Sequence, residues 1–271
     1  MNVYRFTKES DSETDVQRYT PKRNGKTFVK RFTSAVAALL LTVALLCRAD
    51  AEAYSIMNDR NVFRQHKNDC MKIALTFDDG PSAKYTSDIL DYLRDEDIRA
   101  TFFVVGSQAR ANPALVAREE AEGHEIGNHT DSHPHLRHEP IPTLQAEILA
   151  CERTVYELTD TRTTLFRPPE GHCTADISAL VEGLDYRIIL WNIDTRDWAD
   201  ATAAGITENI LTNVQSGDII LFHDSVSRKD SQTLTALKAV VPELKRRGYR
   251  FVTVSELLGT DSPDEELTVS N

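Results

Sequence analysis

From residue 72 onward, short runs rich in β-branched and aromatic residues alternate with longer stretches whose apolar positions recur every three or four residues. The β-rich runs fall at 72–77, 100–105, 124–127, 164–166, 186–191, 218–222 and 250–254. Amphipathic stretches predict helices at 84–94, 112–122, 142–158, 175–182, 203–214 and 231–247, with Gly123 and Gly248 as stop signals. Strands interleaved with helices predict an α/β fold with a parallel sheet. Ile188-Ile189-Leu190-Trp191 and Ile219-Ile220-Leu221-Phe222 are apolar at every position, as in strands covered on both faces. An open doubly wound sheet satisfies this alternation as well as a barrel of seven βα units does. The polar residues decide between them.

Polar clusters follow five of the strands, at their C-terminal ends. They are Asp78-Asp79-Gly80-Pro81, then Asn128 to His135, then Arg167-Pro168-Pro169-Glu170-Gly171, then Asp194 to Trp198, and lastly His223-Asp224. Barrels build their active sites at that end, so a barrel is favoured. Adjacent carboxylates on an extended strand point to opposite faces, which predicts different tasks for Asp78 and Asp79. His129 and His133, four apart, share one face if the segment makes a helical turn. With one of the two aspartates they supply the donor set of an open catalytic metal site. Each cluster taken singly also reads as a solvated loop or a turn.

Charge changes the picture at the two ends of the chain. Residues 1–31 carry eight Lys/Arg against four Asp/Glu, whereas residues 49–271 carry 22 against 38. An acidic body with its basic cluster confined to the leader argues against a nucleic-acid partner. Sixteen uncharged residues at 32–47 follow the basic stretch. At about 1.5 Å per residue they reach roughly 24 Å, short of a hydrocarbon core of about 30 Å. That length fits a signal-peptide core, and Ala51-Glu52-Ala53 supplies small residues for cleavage; the long basic n-region fits an uncleaved membrane anchor. Both readings place the body outside the cytoplasm. Beyond the leader, Cys70, Cys151 and Cys173 allow at most one bridge, and the sequence does not choose the pair.

These residues together resemble the polysaccharide deacetylases of the NodB-homology type, metal-dependent carbohydrate esterases with a distorted (β/α)7 TIM-like barrel. The resemblance rests on Thr76-Phe77-Asp78-Asp79-Gly80-Pro81, His129-Thr130-Asp131-Ser132-His133, Arg167-Pro168-Pro169, Asp194 to Trp198 and Leu221-Phe222-His223-Asp224, in the family's order. It implies that Asp79, His129 and His133 bind a divalent metal, Zn2+ first, with Co2+, Fe2+ and Ni2+ as alternatives. It implies Asp78 as general base, His223 as general acid, Asp197 as the partner of His223 and Arg167 as the partner of Asp78. Trp198 and Leu221 become walls of an acetyl pocket, and the backbone N–H of Glu170 an oxyanion donor. Glu170 departs from the family, which commonly has an aromatic residue there, and this bears on substrate fit.

The implied organisation is a basic n-region at 1–31, a signal-peptide or signal-anchor segment at 32–53, a linker at 54–69, a catalytic domain at 70–258 and an acidic tail at 259–271. The expected reaction is removal of N-acetyl groups from N-acetylglucosamine or N-acetylmuramic acid of a wall glycan, peptidoglycan first. Chitin oligomers and acetylated xylan are alternative substrates. A glycan-binding barrel without turnover and an amidase acting on the peptide stem are the competing functions. A membrane partner is implied if the leader stays attached.

Overall fold

The structure is a computed structural model that describes residues 42, 59–68, 70–199, 201–226 and 230–260. Every element below lies in the compact unit Ala51–Asn271. Apart from residue 42, the predicted leader at 1–53 lies outside the described residues, as does the tail from 261. Among the described residues no helix is long and apolar enough to cross a membrane.

Nine strands and eight α-helices are described: β1 Val62–Phe63, β2 Lys72–Asp78, α1 Thr86–Asp95, β3 Thr101–Val104, α2 Gly106–Ala111, α3 Pro113–Ala121, β4 Glu125–Asn128, α4 Ile141–Thr159, β5 Leu165–Phe166, α5 Ala175–Gly183, β6 Arg187–Ile189, β7 Ile193–Asp194, α6 Ala203–Asn213, β8 Ile219–His223, α7 Thr233–Arg246, β9 Arg250–Phe251 and α8 Val254–Leu258. The paired strands are parallel and run in the order β1-β6-β5-β4-β3-β2-β8-β7, with β9 also on β2. Read as a circle, β2 to β8 follow chain order, with a seam between β6 and β7. A doubly wound sheet would reverse direction at an internal strand; this one does not. The predicted distorted barrel is the observed fold.

β1 bridges the seam. It pairs with β6, and just beyond it Gln65 bridges to Asp218 while the His66 N–H donates to the Gly217 carbonyl at 2.8 Å. Part of the predicted linker at 54–69 is therefore a strand, two residues long and so below the reach of any periodicity.

The period of two along a strand sorts the core. Ile73, Leu75 and Phe77 of β2 and Ile220 and Phe222 of β8 face outward onto helices α1 and α7. Phe77 stacks between Phe102 and Phe222, with ring centroids 4.9 and 5.8 Å away. The alternate residues Ala74 and Ile219 face inward, packing with Phe103, Leu165 and Ile189 above a floor of Val254 and Leu257 from α8.

Two predicted elements differ. The run 186–191 gives only β6, and β7 lies beyond it: the Leu190 N–H still donates to Phe63 of β1 at 2.7 Å, whereas the Asn192 N–H donates to Ile219 of β8 at 3.2 Å. The run 250–254 gives only two strand residues. Thr253 accepts a hydrogen bond from Glu256 N at 3.2 Å and starts α8, so a capping residue overrides its β-branched neighbours. Helix α2, six residues long, lies between the predicted strand at 100–105 and the predicted helix at 112–122 and adds to them.

Candidate active site

Asp78 and His223 are the last residues of β2 and β8 and are register partners across the ladder. Both continue the inward-facing set, so both point into the barrel mouth. Arg167 follows β5 and is buried completely. Its guanidinium donates to Asp78 Oδ1 at 2.7 Å, Thr76 Oγ1 at 2.8 Å, and the Ile189 and Leu190 carbonyls at 2.9 and 3.1 Å. It also lies 4.1 Å from the centroid of the Phe103 ring. Burial lowers the Arg167 pKa, and the neighbouring Asp78 carboxylate counters that. With Oδ1 engaged, Asp78 keeps Oδ2 toward the mouth, 3.9 Å from His129 Nε2.

Asp79 corrects one expectation. Its φ of 73° is left-handed, which turns its side chain back over the mouth, so the two neighbouring carboxylates converge. Asp79 Oδ1 lies 3.4 Å from His129 Nε2 and 3.3 Å from His133 Nε2. The histidine segment is not a helical turn either: Thr130 and His133 have φ of 68° and 56°. Glu147 of α4 holds the loop by accepting from the N–H groups of Asp131 and Ser132 at 3.0 and 2.7 Å.

The three residues fit a metal ion. Their ligand atoms all lie within 4.8 Å of one another. Asp79 Oδ1 is buried without a hydrogen-bond partner, an acceptor that calls for a cation. His129 donates through Nδ1 to the Arg167 carbonyl at 2.6 Å, which leaves the Nε2 lone pair facing the site. Burial would raise the Asp79 carboxyl, but the imidazoles of His129, His223 and His133 around it lower it to about 2. The carboxylate is thus ionised wherever the protein is folded at ordinary pH.

Across the mouth, His223 Nδ1 donates to Asp197 Oδ1 at 2.7 Å. Asp197 Oδ2 accepts from the His223 backbone N–H at 2.9 Å and from Thr233 Oγ1 at 2.6 Å. Asp197 is fully buried and satisfied, so it fixes both the ring and its tautomer. Burial would lower the His223 pKa; the hydrogen bond and charge of Asp197, aided by Asp78 and Asp79, raise it to about 9. Its Nε2 faces the cavity.

That cavity measures about 540 Å³ and is lined by eight of the ten sequence-predicted site residues: Asp78, Asp79, His129, His133, Glu170, Trp198, Leu221 and His223. Arg167 and Asp197 sit one layer behind, hydrogen-bonded to Asp78 and His223. Leu221 is buried, whereas Trp198 is half-exposed. Glu170 has φ of 58° and its Oε1 lies 2.6 Å from His135 Nδ1 at the rim. Sequence reasoning missed Trp191, which lines the cavity, and Thr233, which holds Asp197 from α7. Cys70, Cys151 and Cys173 are unbridged.

A family model of polysaccharide deacetylase matches residues 65–189. A peptidoglycan-N-acetylglucosamine deacetylase of Bacillus cereus is 43% identical over 188 residues, covering 69% of this chain and 87% of the relative. A chitooligosaccharide deacetylase of a Bradyrhizobium species is 33% identical over 196 residues, covering 68% of this chain and 90% of the relative. A crystal structure of a peptidoglycan N-acetylglucosamine deacetylase superposes with a TM-score of 0.74 at 33% identity, over 77% of this chain and 97% of the other. The family model takes in the first three polar strand ends, and at the identity and coverage of these relatives the chain belongs to the polysaccharide deacetylase family.

Proposed function

We propose that this protein is a divalent-metal hydrolase that removes N-acetyl groups from N-acetylglucosamine or N-acetylmuramic acid residues of a wall glycan, peptidoglycan being the first substrate to test. The reading rests above all on one observation: Asp78 and His223, register partners at two strand ends, flank the Asp79–His129–His133 cluster inside one cavity. The activities named for the relatives support the substrate class. The leader sequence supports an extracytoplasmic location, secreted or anchored.

A cation held by Asp79, His129 and His133, with Zn2+ as the first candidate, supplies Lewis acidity and makes water acidic near neutral pH. The chain's own residues do the rest. Asp78 Oδ2 accepts a proton from the attacking water, while Arg167 holds that carboxylate in place through Oδ1. The N–H of Glu170 donates to the acetyl oxygen as it gains charge. His223 Nε2 gives its proton to the departing nitrogen, and Asp197 stabilises the imidazolium. Leu221 and Trp198 wall the acetyl methyl group. A barrel used for binding alone has no need of the Asp78–Arg167 and His223–Asp197 pairs.

The test is acetate released from N-acetylglucosamine oligomers and from digested peptidoglycan, with and without a chelator. The expected result is a loss of about 42 Da per sugar, abolished by chelator and restored by Zn2+, a consequence of metal-activated water. Release of a peptide without acetate would mean an amidase, and no release from either substrate would contradict the proposal.

The pH profile gives a second expectation. The acid must carry its proton, so turnover falls as pH rises through the His223 pKa. Asp197→Asn removes the anion that raises this pKa, so the alkaline limb of kcat/KM is expected about 1 unit or more lower than in wild type. A bound cation lowers the limb in both proteins and leaves the difference. An unmoved limb would contradict His223 as the acid.

A further inference from the structure

Asp224, directly after His223, is a buried acid that the mechanism above does not use. It grips the backbone on both sides of Asp79. Before that residue, the Asp224 N–H donates at 3.3 Å to the Asp78 carbonyl, which belongs to the peptide unit leading into Asp79. After it, the Asp224 carboxylate lies against Gly80: a Cβ added at Gly80 would stand 2.1 to 2.4 Å from the carboxylate atoms. Asp224 Oδ2 also accepts from Thr86 Oγ1 at 2.5 Å, and Thr86 Oγ1 accepts from the Ser82 N–H at 2.7 Å, so the carboxylate reaches the backbone two residues past Gly80. On the other side of the turn, the Val105 N–H donates to the Gly80 carbonyl at 2.9 Å, and Asn112 Nδ2 donates to the Pro81 carbonyl at 3.0 Å.

Between these grips stands Asp79 at φ 73°, a conformation that non-glycine residues keep only where the surroundings enforce it. We infer that Asp224 is a positioning residue for the metal centre, whose carboxylate, through Gly80 and Thr86, holds Asp79 in the left-handed turn that aims its oxygen at His129 and His133. Retaining an acid here works against folding. Burial raises the Asp224 carboxyl to about 7 and pushes neighbouring Glu119, whose oxygens have no hydrogen-bond partner, well above the usual carboxylate range. An apolar side chain would fill the space more cheaply, yet could neither accept from Thr86 nor lie so close beneath Gly80.

The inference rests on the metal-site reading above, and its test separates the two. The full chain is loaded with Zn2+ and titrated with a competing chelator, as wild type, Asp224→Ala, Asp224→Asn and Thr86→Val. Residues behind metal ligands typically change affinity by about 10- to 100-fold when removed. A loss of that order is expected in Asp224→Ala, with a smaller one in Thr86→Val. Asp224→Asn keeps an acceptor for Thr86 and is expected near wild type. Gly80→Ala should weaken binding by forcing the carboxylate away, and Gly80→Ala/Asp224→Ala should bind more tightly than Gly80→Ala, since the new methyl drops into the vacated space. A natively folded Asp224→Ala with wild-type affinity overturns the inference, as does a Gly80→Ala defect that the second substitution fails to relieve. Should Asp224→Ala not fold, Thr86→Val decides: native fold with wild-type affinity overturns the inference, weakened binding supports it. A wild-type chain that binds no Zn2+ overturns the metal-site reading as well.

Discussion

Asp78→Asn is expected to lower acetate release by about 10²- to 10⁴-fold, the range a positioned general base contributes, while leaving metal content near wild type. The reason is geometric. Asp78 Oδ1 is held by Arg167 at 2.7 Å and Oδ2 faces the mouth, but the shortest approaches to the imidazole nitrogens come from Asp79, at 3.3 and 3.4 Å. An amide at residue 78 can still accept from Arg167 through its oxygen, yet has no basic oxygen left for a proton. His129→Ala, by contrast, removes a proposed ligand and is expected to lose metal and activity together. Activity and bound metal are measured on the same samples. Equal metal loss in both variants would mean that the roles given to the two aspartates are swapped or wrong.

Arg167→Met has the second large effect, on stability. It leaves the Asp78 carboxylate, 3% exposed, without its cation, and strips a hydrogen bond from Thr76 and from two backbone carbonyls. Breaking a buried pair by removing one partner costs about 3–5 kcal/mol. At about 2–4 °C per kcal/mol for a domain of this size, melting should fall by roughly 6–20 °C. The measurement belongs on metal-free protein, because a bound dication would itself neutralise Asp78. Asp78→Asn/Arg167→Met removes both charges, so its destabilisation is expected to be smaller than the sum of the single losses. Strict additivity would mean the pair does not interact.

The parts of this site legible in the sequence are those that obey strand periodicity. Asp78 and His223 end inward-facing rows whose alternate residues are large and apolar, so their strand-end position and chemistry show in one dimension. The clustering of polar residues after successive strands was likewise enough to favour a barrel over an open sheet. What stayed hidden depends on single backbone dihedrals or on tertiary partners. The left-handed turns at Asp79, Thr130 and His133 leave no periodic trace, because Asp, Thr and His also occupy ordinary loops. Convergence of the two aspartates was therefore unreadable, and so was the loop that replaces the expected helical turn. Thr233 and Asp224 look like ordinary polar residues until α7 and the turn at Gly80 are folded against the strands. Thr253 was readable: Thr253-Val254-Ser255-Glu256 has the spacing of a helix start, which the β-branched neighbours masked.

The claim beneath all of this is that Asp79, His129 and His133 hold one ion at the barrel mouth between Asp78 and His223. Anomalous diffraction at the zinc edge, from crystals of the zinc-loaded protein, tests it most directly. The expected map has a single strong peak at about 2.0–2.2 Å from a carboxylate oxygen of Asp79 and from the Nε2 atoms of both histidines, with Asp78 outside that shell. A peak held by other residues, or one that takes Asp78 as a ligand in place of Asp79, would contradict the account.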